Sequence, residues 1–270
     1  MKSRFLAGPY IAWMIIFTVV PLGMVVYFAF TSPDGGFTLD NFAHASEYLP
    51  TFLRSIWYAL VACLICLAVG YPVAYVIAQS TASVQRVLYL LVTLPMCMSF
   101  LLRTLAWVAL LRDTGIINTF FGFLGLGPFP LIRNAGAVIL GMVYNYLPFM
   151  ILPIYSVLVK LDHSLIEAAR DLGASSVQVF RKVILPLSLP GVLSGITMVF
   201  VPSVSTFAIS RLLGGGTQMM LGDLIEQQFL GGAYNPQLGA AIALVMMAIV
   251  VVCMLVMNRF GDGEEQAVML

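Results

Sequence analysis

The amino-acid sequence predicts an all-α integral membrane protein with six transmembrane helices, and three observations lead to this prediction. Hydrophobic residues make up 61% of the chain and charged residues only 9%, whereas soluble domains hold about 45–50% and about 25%. The apolar residues form six runs, each near the length of about 20 residues that crosses a bilayer as a helix. The charged residues concentrate between these runs, so the chain alternates membrane spans with polar loops.

The six spans are expected to form one transmembrane domain that occupies residues 1–270. The first apolar run follows Met1-Lys2-Ser3-Arg4 and exceeds a signal-peptide core of about 7–15 residues, so we expect it to be retained as a span. Several spans contain proline, which kinks a helix by removing a backbone donor. The predicted spans are 9–31, 54–79, 87–111, 135–159, 187–209 and 237–258.

Lys and Arg indicate the orientation of the chain, because loops rich in these residues stay in the cytoplasm. Six spans place both termini on one side, and that side holds twice as many basic residues as the other. We therefore expect both termini to be cytoplasmic. The basic residues are Lys2, Arg4, Arg86, Lys160, Arg170, Arg181, Lys182 and Arg259 on the terminal side, and Arg54, Arg112, Arg133 and Arg211 on the opposite side.

Composition argues against several classes of function. The net charge of +1 gives no reason to expect nucleic-acid binding. The predicted spans contain no His, Asp or Glu, which disfavours an intramembrane enzyme. It also makes an ion-coupled transporter or channel a weaker alternative, since proton coupling often uses intramembrane carboxylates. We expect no metal site, because His44 and His163 are far apart and all cysteines lie in apolar runs, where packing is their usual role: Cys63, Cys66, Cys97 and Cys253.

The predicted cytoplasmic loop at 160–186 gathers charge in an otherwise apolar chain. Ser164-x-x-Glu167 and Ser175-x-x-Gln178 both fit capping boxes, and Gly173 fits a left-handed helix end. The loop is therefore predicted to form two short helices at an angle, with Pro186 marking the entry to the fifth span. Its apolar residues would lie outside the membrane, which indicates a partner protein; they are Leu165, Ile166, Ala169 and Leu172.

The same loop carries a motif with several residues at fixed spacing. Glu167-Ala168-Ala169, Gly173, Val183 and Leu185-Pro186 fit the pattern E-A-A-x3-G-x9-I-x-L-P, with Val in place of Ile. The loop thereby resembles the EAA loop of the membrane subunits of binding-protein-dependent ABC importers. Nearly the whole chain is similar to the B-type permeases of spermidine/putrescine importers, notably at 37–42 and 147–155. The resemblance implies the six-helix type I ABC importer permease (MetI-like) fold.

The resemblance further implies a permease subunit of an ATP-driven polyamine importer in a bacterial plasma (inner) membrane. Its partners would be a cytoplasmic ABC ATPase dimer, a second (C-type) permease and an extracytoplasmic polyamine-binding protein. The chain has no G-x-x-x-x-G-K-[ST] loop, so ATP-Mg is expected on the ATPase, with no cofactor and no catalysis on this chain. Another small cationic or organic solute is the alternative within the family. The residues implied to couple to the ATPase are Glu167, Ala168, Ala169, Asp171, Gly173, Leu185 and Pro186.

Candidates for a polyamine pathway follow from the chemistry of a polycation, which carboxylates and aromatic faces hold. The predicted spans lack carboxylates, so aromatic and polar residues are the candidates there. Arg103 is the one charged residue inside a predicted span. We expect it to pair with an acid of a partner subunit or to contact a gate. The candidates for the pathway or gate are Tyr71, Tyr75, Arg103, Tyr144, Asn145, Ser203, Ser205, Asp223 and Glu226.

Two predicted external segments contain further helices. The segment 112–134 is apolar and rich in glycine from Phe120 to Gly127, which suits a short helix at the membrane interface. The segment 210–236 begins with a flexible Gly214-Gly215-Gly216 and continues with one apolar helical face at Leu221, Leu224, Ile225 and Phe229. That helix either caps the bundle or serves as a gating or docking element. Its acids either attract a cation or form a solvated face.

Overall fold

The protein is helical in the part of the chain that the structure describes, residues 8–232 and 234–268. The structure is a computed structural model. Lys2 and Arg4, which contribute to the predicted orientation, lie outside the described residues. The α-helices are α1 (Gly8–Met14), α2 (Val20–Ala29), α3 (Asp40–Ser46), α4 (Leu49–Gln79), α5 (Ala82–Thr93), α6 (Phe100–Leu111), α7 (Ile116–Phe123), α8 (Ala135–Leu158), α9 (His163–Asp171), α10 (Ser176–Val179), α11 (Leu185–Ser205), α12 (Ala208–Gly214), α13 (Leu221–Leu230) and α14 (Pro236–Val268).

The all-helical membrane fold is confirmed. Within the described residues, five helices are long and apolar enough to cross a membrane, and a bent helix pair makes a sixth span when it is counted as one. The five helices are Pro9–Ala29, Leu49–Gln79, Ala135–Leu158, Ser176–Ser205 and Pro236–Met257. Each exceeds or matches the length of about 20 residues that a bilayer requires.

The third predicted span, at 87–111, is broken rather than straight. The helical pieces Ala82–Cys97 and Phe100–Phe123 meet at an angle of 91°. Pro95 lies in a 3-10 turn just before the break, and Met98 has an extended backbone with ψ 149°. Proline lacks an N–H and its ring collides with the preceding turn. The proline accounts for the change from α-helix to 3-10 turn at Leu94–Cys97. The apolar run predicted a span here and did not indicate the bend that follows this turn.

Three helices, α4, α8 and α11, pack against one another and form the centre of the bundle. Their core contains the fully buried side chains of Met142, Met150 and Ile154. The backbones approach closely, because a Cβ at Gly191 of α11 would lie only 2.9 Å from the carbonyl oxygen of Pro153 on α8. Small residues permit such contacts between membrane helices. The core therefore depends on close helix packing.

The remaining spans lie around this centre. Helix α2 packs along α14. In the most apolar part of the span Pro9–Ala29, no residue is buried within the chain. That surface is open to lipid or to another membrane subunit. Helix α13 packs against α14, with Leu221 and Leu224 buried. The apolar face predicted for this segment is thus confirmed.

Two π-helical segments precede prolines. Ile15–Val19 ends two residues before Pro21, and Phe180–Ile184 ends two residues before Pro186. A wider turn accommodates a residue that cannot complete the regular hydrogen-bond pattern. As a result, Ser176–Ser205 is one continuous helix. The second short helix predicted for the loop is therefore not a separate helix, because it continues through Pro186 into the helix of the fifth span.

Candidate functional site

Helix α9 has a different N-cap from the predicted one. The Asp162 carboxylate accepts a hydrogen bond from the Ser164 N–H at 2.9 Å, and Asp162 is the N-cap residue. Ser164 already lies inside the first turn, so the predicted Ser164-x-x-Glu167 capping box is wrong. An aspartate at the N-cap satisfies a free backbone donor and favours the positive end of the helix.

The other end of α9 is closed as predicted by Gly173, which has φ 81°. The Gly173 N–H donates to the carbonyl of Arg170 at 2.8 Å, and the Ala174 N–H donates to that of Ala169 at 3.1 Å. These two bonds form the glycine-dependent motif that ends many helices. A residue with a Cβ would be strained here, because this left-handed backbone suits glycine.

The second predicted capping box, at the start of α10, is confirmed. The Gln178 N–H donates to the Ser175 hydroxyl at 3.4 Å, and the Ser175 N–H donates to the Gln178 side chain at 2.8 Å. Val179 and Ile184 are buried against the bundle. Within residues 160–186, hereafter the EAA loop, local hydrogen bonds thus define both ends of α9 and the start of α10.

The EAA loop presents part of its apolar surface outward. Leu165 and Leu172 are exposed, Leu172 by 89%. Ile166 and Ala169 instead pack against the core of the bundle, so the prediction that all four lack a partner is half right. Val177 of α10 is also exposed and adds an apolar residue that we did not predict. Exposed apolar side chains on a short polar helix indicate a contact with another protein.

The motif residues occupy two places. Glu167, Ala168, Asp171 and Gly173 are exposed on α9 and at its end, beside Leu172 in the chain. Leu185 and Pro186 lie instead at the start of α11. The first group therefore shares the outward surface of the loop, while the Leu-Pro pair belongs to the base of a span.

Tyr71 and Tyr75, both predicted as pathway candidates, contact the EAA loop. Their rings pack edge-on against Phe180 with centroid distances of 5.8 and 5.6 Å. The Tyr71 hydroxyl lies 2.8 Å from that of Ser188 on α11. Edge-to-face pairs contribute about 0.5–1.5 kcal/mol each beyond area burial. The two tyrosines thus connect α4 to the helix that carries the loop.

Arg103 of α6 and Asn145 of α8 are both buried, and Asn145 joins the two helices through Thr104. Arg103 is 7% exposed and Asn145 is 1% exposed. The Asn145 amide donates to the carbonyl of Gly141 at 2.9 Å and to the Thr104 hydroxyl at 3.4 Å. In the described part of the chain, the buried side-chain nitrogens and oxygens without a partner are Arg103 Nε and Nη1 and Asn145 Oδ1. Buried polar groups that lack a hydrogen-bond partner are costly, so these atoms lower the stability of the chain by itself.

Tyr144, Ser203 and Ser205 differ in what their polar groups contact. The Ser203 and Ser205 hydroxyls donate to carbonyls four residues earlier in their own helix, at 2.6 and 3.1 Å. Such bonds satisfy a hydroxyl locally. Tyr144 is 37% exposed and its ring packs edge-on against Trp107 at 5.4 Å. Of these three candidates, Tyr144 offers the most accessible surface to a ligand.

Asp223 and Glu226 line a cavity of about 110 Å³ at the end of the bundle opposite the EAA loop, hereafter the far end. The Glu226 carboxylate accepts hydrogen bonds from Arg211 Nη1 at 2.6 and 2.7 Å. The Asp223 carboxylate accepts one from the Met220 N–H at 2.9 Å. Asp223 is buried, so a solvated acidic face is wrong for this residue. Burial raises the pKa of Asp223, while hydrogen bonding and the Arg211 charge oppose the rise.

Two residues of α4 that the sequence did not identify hold the far end in place. The Leu221 N–H donates to the Ser55 hydroxyl at 2.9 Å, and the Tyr58 hydroxyl donates to the Gln218 side chain at 2.6 Å. These partners are 166 and 160 positions apart. No local sequence pattern signals contacts over such separations.

The fold and the two ends of the bundle define a class of protein. Apolar spans surround a close-packed centre, and an outward helical loop carries apolar and charged residues at one end. Within the residues described, no group of three or more His, Cys, Asp or Glu side chains is placed to hold a metal ion. This is the architecture of a multi-pass membrane protein that offers a partner protein a helical surface at one end of its bundle.

Comparison with known families and proteins supports this class. Residues 70–263 match the family described as "Binding-protein-dependent transport system inner membrane component", and the chain belongs to this family. It is 35% identical over 259 residues to the spermidine/putrescine transport system permease protein PotB of Escherichia coli, covering 92% of this chain and 94% of that protein. PotB of Haemophilus influenzae is 35% identical over 255 residues, with 89% and 88% covered.

Other similar proteins are also ABC transporter subunits. The inner membrane ABC transporter permease protein YdcU of Escherichia coli is 30% identical, covering 77% of this chain and 71% of that protein. Among solved structures, a bacterial ABC transporter that imports alginate has a TM-score of 0.77 at 19% identity, covering 97% of this chain and 95% of that chain. The MetNI methionine ABC transporter has a TM-score of 0.56 at 22% identity, with 82% and 95% covered. These structures share the type I importer permease fold.

Proposed function

We propose that this chain is a permease subunit of an ATP-driven importer for polyamines of the spermidine and putrescine class. The observation that carries the proposal is the 35% identity to PotB over 92% of this chain. An alignment that covers 92% of this chain extends over the spans and both ends of the bundle. It therefore supports a shared solute better than the EAA motif does, since that motif is common to importers of many solutes.

The EAA loop is the proposed contact with a cytoplasmic ATPase dimer, on which ATP-Mg is bound and hydrolysed. Exposed Leu165 and Leu172 lie among the charged residues Glu167, Arg170 and Asp171. Apolar contacts with a charged rim are typical of protein interfaces. In this proposal Glu167, Ala168, Asp171 and Gly173 form the docking surface, Ala169 holds α9 to the bundle, and Leu185-Pro186 forms the base of the span.

Movement of the EAA loop would reach the spans through contacts within this chain. Ile166 and Ala169 pack on the core, and Phe180 contacts Tyr71 and Tyr75. When ATP binding draws the ATPases together, these contacts transmit the displacement to α4 and the centre of the bundle. In this proposal the chain changes conformation when the ATPases move, and it has no catalytic residue of its own.

Both termini are proposed to lie in the cytoplasm, so that the far end faces the extracytoplasmic side. The two-to-one distribution of Lys and Arg supports this orientation. An extracytoplasmic binding protein then delivers the solute at the far end. A second, C-type permease completes the pathway. Arg103 would pair with one of its acids only after a rearrangement of this chain, because its Nε and Nη1 are buried within the chain itself.

The polyamine would meet carboxylates only outside the spans. Glu226 is paired with Arg211, whose side chain is 63% exposed, and exposed ion pairs contribute little and exchange readily. An arriving ammonium group can therefore replace Arg211 at Glu226. Tyr144 would offer an aromatic face further along. Without carboxylates in the spans, this pathway binds the solute weakly and allows its release.

The test is reconstitution of the chain with its ATPase, second permease and binding protein in nanodiscs. We expect spermidine-loaded binding protein to stimulate ATP hydrolysis several-fold, and putrescine-loaded protein to do so as well. Stimulation only by an unrelated solute would assign the permease to another substrate of the same family. Uptake into proteoliposomes that continued without ATP and collapsed with an ion gradient would instead contradict the ABC mechanism.

A further inference from the structure

A second cavity at the far end is positively charged and has no assigned role. Its volume is about 510 Å³, and Arg112 and Arg133 line it together with Asp113. Two arginines and one aspartate leave a net charge of +1 on these residues. The ion pairs in the described part of the chain involve other side chains. Both guanidinium groups are therefore available to an anionic group from outside.

Arg133 has an unusual backbone. It is the non-glycine residue with a positive φ, 63°, among the residues described. Its N–H donates to the carbonyl of Leu213 at 2.7 Å, and its own carbonyl accepts a bond from the Thr217 hydroxyl at 3.4 Å. A strained conformation persists only where its surroundings hold it, and such residues cluster at functional sites. Glycine would adopt this conformation without strain, so replacing Arg133 by glycine removes the side chain without disturbing this backbone.

The neighbouring glycine makes room for that side chain. Gly215 has φ 60°, and a Cβ on it would lie 2.7 Å from Arg133 Cγ. The Arg133 side chain therefore lies directly across Gly215. The glycine run that predicted a flexible hinge also creates the space in which the aliphatic part of the Arg133 side chain lies.

The basic cavity adjoins the acidic one. Leu212 and Gly215 line the basic cavity, whereas Ser210, Arg211 and Gly216 line the cavity of Asp223 and Glu226. Residues of one short segment, 210–216, thus serve both. The far end consequently presents a basic and an acidic site side by side, a pattern that fits a folded protein surface with charges of both signs.

We propose that Arg112 and Arg133 bind a carboxylate side chain of the extracytoplasmic binding protein when it docks on the far end. Guanidinium groups bind carboxylates through paired, charge-assisted hydrogen bonds. The adjacent acids would repel a uniformly anionic lipid surface, which favours a protein partner over lipid. The inference rests on the proposed function to the extent that it requires a binding protein.

The test compares binding-protein affinity for the assembled transporter in phosphatidylcholine nanodiscs. Arg112→Glu with Arg133→Glu is expected to raise the Kd by about tenfold or more and to reduce its salt dependence, because opposite charges no longer meet. Arg54→Glu is the matched control, since it reverses an arginine outside this cavity on the same predicted side. Its Kd should stay within about twofold of the wild-type value.

A second variant separates docking from folding. Arg133→Gly removes the guanidinium and relieves the positive φ, so the melting temperature should stay equal or rise while the Kd still rises several-fold. An unchanged Kd in both Arg133 variants would overturn the proposal. So would a loss of affinity seen only in nanodiscs that contain phosphatidylglycerol, because lipid would then occupy the cavity.

The outcomes also separate this inference from the proposed function. Affinity is measured with ligand-free and with spermidine-loaded binding protein, whereas the solute is tested by stimulation of ATP hydrolysis in the wild type. A wild-type transporter that ignored spermidine but lost docking in the variants would contradict the solute and support the carboxylate site. Normal stimulation with equal Kd values would contradict the site alone.

Discussion

The EAA loop and the far end are built in opposite ways. In the EAA loop, the caps and the glycine end are closed by hydrogen bonds between residues only two to five positions apart. At the far end, the contacts of Ser55 and Tyr58 join residues 160 or more positions apart. A locally closed unit keeps its shape while a partner moves it as a whole. A surface assembled from distant helices instead changes when the bundle changes.

The largest expected effect tests the independence of the EAA loop. We expect Glu167→Ala with Gly173→Leu to abolish uptake, because Gly173 has φ 81° and leucine would disrupt the end of α9. The protein should still reach the membrane, since the caps lie outside the packed core. Uptake and co-purification of the ATPase measure the two consequences separately.

Ser164→Ala is the control for that variant. The Ser164 hydroxyl does not cap α9, because Asp162 does, so uptake should remain close to wild type. Normal transport and ATPase association in the Glu167/Gly173 variant would contradict the assignment of the loop. A severe loss in Ser164→Ala would show that our description of the cap is wrong.

The second largest effect concerns Arg103, whose buried Nε and Nη1 have no hydrogen-bond partner in this chain. Arg103→Met should stabilise the isolated chain in detergent by about 1–3 kcal/mol, since two buried unpaired N–H groups disappear. Thermal unfolding measures this. Arg103→Lys retains the charge and should give no such gain. A marked destabilisation by methionine would reveal an intrachain partner for Arg103.

A smaller effect tests the long-range contacts of the far end. Tyr58→Phe removes the hydroxyl that donates to Gln218 at 2.6 Å and should destabilise the protein by about 1 kcal/mol. Hydrogen exchange should increase in residues 214–221 and stay unchanged in the EAA loop. Equal increases at both ends would break the distinction between them.

The smallest effect is the pH dependence from Asp223. Burial raises the pKa of Asp223 in the folded protein, so its contribution to stability is complete below the ordinary pKa of about 3.9 and is lost as the pH rises through the folded value. Asp223→Asn should flatten the fall in melting temperature on going from about pH 4 to about pH 7. Parallel profiles for the two proteins would refute the burial argument.

Prediction from the sequence succeeded where the cause was local. Ser175 and Gln178 cap α10 as expected, and Gly173 ends α9, because each depends on neighbours within one turn. It failed at Ser164, since an aspartate two residues earlier competes for the same cap. It also failed for the second short helix of the loop, which a π-helical segment before Pro186 joins to the following helix. Local patterns identify candidates for a cap or a break but do not decide between adjacent ones.

The residues of the candidate site also separate into those that the sequence identified and those that only the tertiary structure brought together. Tyr71 and Tyr75 were identified as aromatic residues of a span, yet only packing placed them against Phe180. Asp223 was an acid beside a glycine run, and the fold buried it. The basic cavity brings Arg112 and Arg133, from the two ends of segment 112–134, together with Leu212 and Gly215. The sequence placed both arginines on one side of the membrane but did not signal that they share a cavity.

The sequence by itself determined the membrane class, five of the apolar spans and the helix ends within the EAA loop, because hydrophobic length and hydrogen bonds between near neighbours depend on consecutive residues. The tertiary structure alone decided which polar groups are buried, which arginines remain unpaired and how opposite charges come to lie side by side at the far end. Those properties depend on the environment that distant helices create, since desolvation and charge pairing act through space rather than along the chain.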